Sequence, residues 1–252
     1  VQRLRRLLRK KSARDAERAF VVEGAKVVGE ALDAGAPVQS AFVAPGAPGE
    51  LIERLLAAGA RVHELEPGVM ERVADTVTPQ PVAAVVGYVD VGIEALREGT
   101  MVLACVDVRD PGNAGTVLRT AEAAGADGVI CCEGSVDVYN PKTVRASAGS
   151  LFHVPVVVGS TPAAVADAVG GFGFTRVATV AREGTEYADV DLTGRVALFL
   201  GNEANGLPAD VVDRADLRVS IPMAGRTESL NVGMAAAVLC FEAARQRRAI
   251  RG

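Results

Sequence analysis

The chain has 252 residues, 49% of them hydrophobic, with 27 Lys or Arg against 31 Asp or Glu and a formal net charge of −4. That is enough apolar material for one large or two modest buried cores in a compact soluble protein, and no apolar run reaches the length of a membrane span. An overall negative charge argues against a chain that binds nucleic acid over its whole surface, but the charge is unevenly spread.

Residues 1–18 hold Arg3, Arg5, Arg6, Arg9, Lys10, Lys11, Arg14 and Arg18 against Asp15 and Glu17, a local +6. Leu4, Leu7 and Leu8 fall at i, i+3 and i+4 within this stretch, so a short amphipathic helix with an arginine-covered outer face is expected. Its cations could lie along an RNA backbone, where each neutralised phosphate releases counterions. A solvated basic terminus and an Arg-rich transit segment are the other readings. A second basic cluster, Arg245, Arg247, Arg248 and Arg251, stands at the other end.

From Phe20 the pattern predicts a strand (20–22), a helix (25–34), a strand (38–43), a helix (50–58), a strand (62–65), a short helix near Met70 and a strand (83–89). Pro79 and Pro81 mark a loop before that last strand, and 90–100 has the charge and glycine of a connector. Beyond it, strand and helix alternate: strand 101–108, helix from 114 or 116 to 124, strand 129–132, a helix or turn at 142–147, strand 154–158, helix 162–168, strand 175–180 and strand 196–200. Pro208 is suited to open a short helix, 216–223 alternates like a strand, and 232–248 reads as a helix. The expected division is a small α/β domain over 1–89, a linker over 90–100 and a second α/β domain over 101–252 with a mainly parallel sheet.

Polar, Gly- and Asn-bearing loops follow three of these strands: Arg-Asp-Pro-Gly-Asn-Ala-Gly115, Gly-Asn-Glu-Ala-Asn-Gly-Leu207 and Ile221-Pro-Met-Ala-Gly-Arg-Thr-Glu-Ser-Leu-Asn231. In an open α/β sheet such loops gather at the carboxyl ends of the strands, where ligands bind. Ser229 and Asn231 stand at a helix start, whose free N–H groups favour anions. The four cysteines, Cys105, Cys131, Cys132 and Cys240, sit in apolar runs without C-x-x-C spacing and read as buried thiols. His63 and His153 lie near no metal partner, so no metal is expected. A dinucleotide-binding enzyme would need G-x-G-x-x-G after residue 108, where the sequence is D-P-G-N-A-G.

Taken together and in this order, Asn113-x-Gly115-x-x-x-Arg119, Gly201-Asn-Glu-x-x-Gly-Leu207 and Ile221-Pro-Met-x-Gly-x-x-Glu-Ser-Leu-Asn231 resemble the three motifs of the SpoU (TrmH-like) family of RNA 2′-O-ribose methyltransferases, of the SPOUT class. Upstream, Phe20-Val-Val-Glu-Gly-Ala-Lys26 resembles the start of the small RNA-binding domain, similar to ribosomal protein L30, that many members carry. The resemblance implies a deep trefoil knot holding S-adenosyl-L-methionine, with Gly201, Ile221, Met223 and Leu230 as cofactor contacts, mostly through main chain. It implies Arg119 as phosphate clamp and participant in hydroxyl activation, Asn113 as a neighbouring positioning group, and Glu203, Ser229 and Asn231 as hydrogen-bonding parts of the site. RNA contacts are expected from Arg3, Arg5, Arg6, Arg9, Lys10, Lys11 and Arg145, with Lys142 beside the last. A cytoplasmic homodimer acting on 23S ribosomal RNA is the implied assembly. A tRNA methyltransferase and a non-catalytic RNA-binding protein are the alternatives. Gly233 stands where relatives often have serine, a change expected to loosen the helix start.

Overall fold

The computed structural model describes residues 1–73 and 78–251, the side chain of Arg251 excepted. The chain forms two compact units: Val1–Val89 with Tyr139–His153, and Asp90–Val138 with Val154–Gly252.

The first unit opens with α1 (Gln2–Arg9) and α2 (Lys11–Glu17), broken at Lys10, whose extended backbone cannot continue a helix. Then come β1 (Ala19–Glu23), α3 (Ala25–Asp33), β2 (Val38–Val43), α4 (Gly49–Ala57), β3 (Arg61–Glu64), α5 (Val69–Val73) and β4 (Val82–Gly87). They form a four-stranded sheet of order β1-β4-β2-β3, in which β4 pairs antiparallel with both neighbours and β2 pairs parallel with β3. Leu4, Leu7 and Leu8 pack with Val21, Phe42, Met70, Val73 and Val85 in one apolar cluster. The amphipathic spacing of α1 therefore holds this helix to the sheet.

The second unit begins with a 3-10 turn at Ile93–Leu96, then β5 (Met101–Cys105), α6 (Pro111–Ala124) and β6 (Gly128–Cys131). The chain next returns to the first unit as α7 (Pro141–Ser147). The sequence reading had assigned this whole stretch to the second domain. Aromatic burial explains where it goes: Tyr139 is 2% exposed, stacks on Tyr88 at 3.8 Å between ring centroids and packs on Phe20 at 4.7 Å. Its hydroxyl accepts a hydrogen bond from the Val89 N–H at 3.0 Å, and Phe152 meets Phe20 from the far end of the segment.

Back in the second unit follow β7 (Val156–Val158), α8 (Pro162–Gly171), β8 (Thr175–Thr179), β9 (Thr185–Glu186), β10 (Val196–Leu200), α9 (Ala209–Arg214), β11 (Leu217–Ser220) and α10 (Val232–Arg251). All strands run parallel in the order β7-β6-β5-β10-β8-β11-β9. Strands β5 and β10 are buried along their whole length, as expected for a parallel sheet covered on both faces. The strand order reverses at β5: the chain first builds outward through β6 and β7, then crosses to the other side. This is the topological switch point of the sheet.

Several boundaries differ from expectation, four of them at the loops that follow the strands of the second unit. The strand from 101 ends at Cys105, and α6 begins at Pro111, because Asp110 caps it by accepting the Asn113 N–H at 2.8 Å and Pro111 supplies the preset first turn. Asn113 is therefore a helical residue. Pro208 precedes the first helical residue of α9. The strand from 216 stops at Ser220, since Pro222 has no N–H to continue a ladder. The two-residue β9 and the separate helix α2 were not anticipated.

Candidate active site

The site is built at the carboxyl ends of β5, β10, β8 and β11. After β5 the chain turns through Asp107, which takes a left-handed backbone (φ 55°), and its carbonyl accepts the Asn202 side-chain amide at 2.8 Å. The loop after β10 is closed on itself by reciprocal backbone bonds between Asn202 and Gly206 and by the Asn202 side-chain Oδ1, which accepts from the Ala204 and Asn205 N–H groups. Gly201 has no room for a side chain: a Cβ there would lie 2.4 Å from the Gly206 carbonyl carbon. The glycine thus lets two stretches of main chain approach closely and turns backbone groups toward the crevice.

Three motif residues meet through their side chains. Asn231 caps α10, its Oδ1 accepting from the Gly233 N–H at 2.9 Å, which leaves Nδ2 to donate to Asn113 Oδ1 at 2.7 Å. With its oxygen engaged, Asn113 donates Nδ2 to Glu203 Oε1 at 2.6 Å. Each amide fixes the orientation of the next, from the helix N-terminus to the carboxylate. The Oε2 of Glu203 has no protein partner among the described residues.

Beside this chain lies a cavity of about 420 Å³, within the size range of small-molecule sites. The loops supply Gly201, Glu203, Ile221, Met223, Ser229 and Leu230, and α10 closes it with Val232, Ala235 and Leu239. All four expected cofactor contacts line it. Its walls combine main chain, apolar side chains, the Glu203 carboxylate and the Arg182–Glu228 pair, a lining suited to a ligand with an apolar body and polar ends such as S-adenosyl-L-methionine. Glu228 pairs with Arg182 at 3.3 Å, both side chains being exposed. The segment Thr179–Arg182, at the end of β8 and just beyond it, was missed in the sequence. Only the strand order, which seats β8 between β10 and β11, reveals that it faces the crevice.

Arg119 stands apart from the cavity lining. It lies six residues beyond Asn113 on α6, about 9 Å along the helix, on the exposed side with Thr116. Among the described residues it has no hydrogen-bonding or ion-pairing partner. The Ser229 hydroxyl is likewise free, in an exposed loop where the Ser229 carbonyl accepts from Thr227 Oγ1 at 3.1 Å.

The expected RNA cations fare differently. Arg3 donates to Glu17 at 2.6 Å and to Gln39 at 2.6 Å, Arg6 also pairs with Glu17, Lys11 pairs with Asp15 at 2.8 Å, and Arg5 donates to the Arg72 carbonyl. Arg145 is held by Glu23 at 3.3 Å. Arg9, Lys10 and Lys142 are exposed and have no such partner among the described residues. The Glu17 carboxyl is held below its ordinary value chiefly by the Arg3 hydrogen bond, partly offset by desolvation.

All four thiols are free and buried. The hydrogen bond with Cys131 and burial hold Cys105 well above the ordinary thiol range, and burial pushes Cys132 and Cys240 up to about 12, so these are not thiolate nucleophiles at neutral pH. Among the described residues, no group of three His, Cys, Asp or Glu could hold a metal ion and no helix is long and apolar enough to cross a membrane. Gly233 is explained by packing: a Cβ there would lie 2.8 Å from the γ-methyl of Thr116, so glycine lets α10 settle on α6.

Residues 100–241 match the SpoU rRNA Methylase family, and residues 1–84 match the MRM3-like substrate binding domain. The chain is 36% identical over 234 residues to the 23S rRNA (guanosine(2553)-2'-O)-methyltransferase RlmP of Bacillus subtilis, covering 93% of this chain and 92% of that protein. Among solved structures, the SpoU methyltransferase AviRb from Streptomyces viridochromogenes in complex with AdoMet superposes with a TM-score of 0.88 at 32% identity, over 100% of this chain and 98% of that one. The AdoMet-bound rRNA methyltransferase from Sinorhizobium meliloti gives 0.85 at 33% identity, over 97% and 93%.

Proposed function

The chain belongs to the SpoU rRNA Methylase family, and from that premise we propose that it methylates a ribose 2′-hydroxyl of 23S ribosomal RNA, with S-adenosyl-L-methionine as donor. The observation that carries the reading is the Glu203–Asn113–Asn231 chain beside the 420 Å³ cavity, because it joins the three motif segments into one oriented polar site.

Gly201, Ile221, Met223 and Leu230 would hold the cofactor, which supplies an electrophilic methyl group when bound. Methyl transfer is an in-line displacement, so the protein's task is alignment and a route for the hydroxyl proton. Glu203 Oε2 is the acceptor left over once Asn113 has engaged Oε1, and it is oriented before substrate arrives. Arg119 offers an unpaired guanidinium fork for the phosphate next to the target ribose. An arginine is almost never deprotonated, so we assign it the clamp and leave proton acceptance to a carboxylate or solvent.

We further infer a homodimer, with each Arg119 serving the partner's cavity. Met234 and Phe241, 60% and 45% exposed and seven residues apart, share a face of α10 with the half-buried Val238. An apolar stripe of this kind is suited to a second copy. The return of α10 onto α6 after β11 supports a trefoil-knotted path, and the RNA substrate supports a cytoplasmic location. The first unit and the basic face of α1 are assigned to RNA binding, Arg9 and Lys10 foremost.

The test is incubation with ribosomal RNA and, separately, tRNA, followed by mapping of alkali-resistant positions. One new 2′-O-methyl group in 23S ribosomal RNA is the expected result. Modification of tRNA alone would transfer the reading to that substrate, and none on any RNA would refute it.

A further inference from the structure

A second cleft, of about 690 Å³, lies in the first unit and is lined by Arg3, Gln39, Ser40, Phe42, Arg61 and His63 among others. Its construction follows from strand register. In the parallel pair of β2 and β3, Ser40 stands beside Arg61 and Phe42 beside His63, so all four project from the same sheet face. The exposed His63 imidazole rests on the buried Phe42 ring, 5.1 Å between centroids and 25° between planes. Strand β3 is the edge of its sheet, so this face stays open at the side.

The charges here are free where those of the basic helix are largely spent. Among the described residues, neither Arg61 nor His63 has a hydrogen-bonding or ion-pairing partner. Arg3, at the border of the cleft, is held by Glu17 at Nε and by Gln39 at one terminal nitrogen, which leaves Nη1 for a ligand. A flat ring platform, two guanidinium groups and neighbouring amide and hydroxyl groups are the components that single-stranded RNA requires: stacking for a base, cations for phosphate, hydrogen bonds for a base edge. An acidic peptide would use the cations and leave the platform idle.

Building on the RNA-methylating function proposed above, we propose that this cleft holds a single-stranded segment of the RNA substrate, with one base stacked on the His63–Phe42 pair and its phosphate on Arg61. It is a binding site remote in sequence from the three motifs, and it contributes affinity rather than chemistry.

The experiment uses the full chain and a 23S ribosomal RNA fragment carrying 4-thiouridine. Irradiation is expected to crosslink RNA to the peptide containing residues 61–65. His63→Ala should weaken RNA binding about tenfold, the scale of one lost base stack, and His63→Tyr should restore it. Arg61→Ala should lower the slope of log affinity against log salt by about 0.7, the value for one single-strand phosphate contact. Both alanine variants should raise KM for RNA with kcat, cofactor affinity and melting temperature unchanged. RNA affinity and salt slope equal to wild type in both variants, or protection of the 61–65 peptide by protein rather than RNA, would overturn the proposal. If the wild type methylates no RNA while these variants still lose RNA binding, the cleft stands and the catalytic reading is what fails.

Discussion

The two units handle polar residues in opposite ways. In the second, Asn113, Glu203 and Asn231 are drawn into one hydrogen-bonded chain, while Arg119, proposed above as the phosphate clamp, has no partner among the described residues. In the first, Arg3, Arg6 and Lys11 are tied to carboxylates, while Arg61 and His63, which no charge cluster advertises, have no hydrogen-bonding or ion-pairing partner among the described residues. The charge balance divides along the same line. The first unit has 14 basic and 11 acidic residues, net +3, and the second 13 and 20, net −7. The overall −4 thus conceals a first unit of the opposite sign, the one proposed above to bind RNA. The lesson is that a basic residue counts toward ligand binding only after its intramolecular partners have been subtracted.

The strongest way to break this comparison is to show that the units are not what the packing says. Tyr139→Ala removes a buried ring from the first unit, although the residue lies between β6 and β7 in sequence. A loss of about 3–5 kcal/mol is expected in urea unfolding, the usual cost of an aromatic truncated in a core. A change below 1 kcal/mol would mean that the segment is not part of that core. For the same reason, residues 1–89 expressed alone should give a less cooperative melt than the same unit within the full chain.

Arg119→Ala comes next. The turnover rate should fall about 100-fold or more, equivalent to about 2.7 kcal/mol of barrier, while affinity for S-adenosyl-L-methionine in equilibrium dialysis stays within about threefold. Equal loss of both would assign Arg119 to the cofactor cavity instead. A mixed dimer of Arg119→Ala and Gly201→Val chains, each inactive alone, should recover activity if the arginine serves the partner's cavity.

Gly233→Ala should cost about 1–3 kcal/mol through the clash with Thr116, and adding Thr116→Ala should recover most of it. No recovery in the double-mutant cycle would place the strain elsewhere. The smallest effect is expected from the paired cations. Glu17 has its carboxyl lowered below 4.5 in the folded chain, so its contribution is complete above about pH 4.5 and is lost as the pH falls through the folded value. Because Arg6 is exposed and Arg3 only half-buried, solvent screens the pair, and Glu17→Gln should cost less than about 1 kcal/mol at pH 7 and flatten the melting temperature between pH 6 and 3.

Much of the fold could be read from the chain. Strands 38–43 and 196–200 match β2 and β10 residue for residue, and the spacing of Leu4, Leu7 and Leu8 foretold the buried side of α1. The motif loops were legible because Gly, Asn and Pro mark turns and helix starts by local backbone chemistry, and Asn231 does cap α10. The same local signals misjudged the start of α6, where Asp110 and Pro111 open the helix before Asn113.

By itself, then, the sequence determined the elements and the motifs, since periodicity, capping and turn preference act over a few residues. Tertiary structure alone decided that Asn113 meets Glu203 and Asn231, 90 and 118 residues away, that Tyr139 completes the core of the other unit, and that Arg119, Arg61 and His63 have no hydrogen-bonding or ion-pairing partner among the described residues where Arg3 and Arg6 do. The reason is physical: each of these depends on the order in which distant strands pair and on which side chains then compete for the same partner, and no local propensity encodes that outcome.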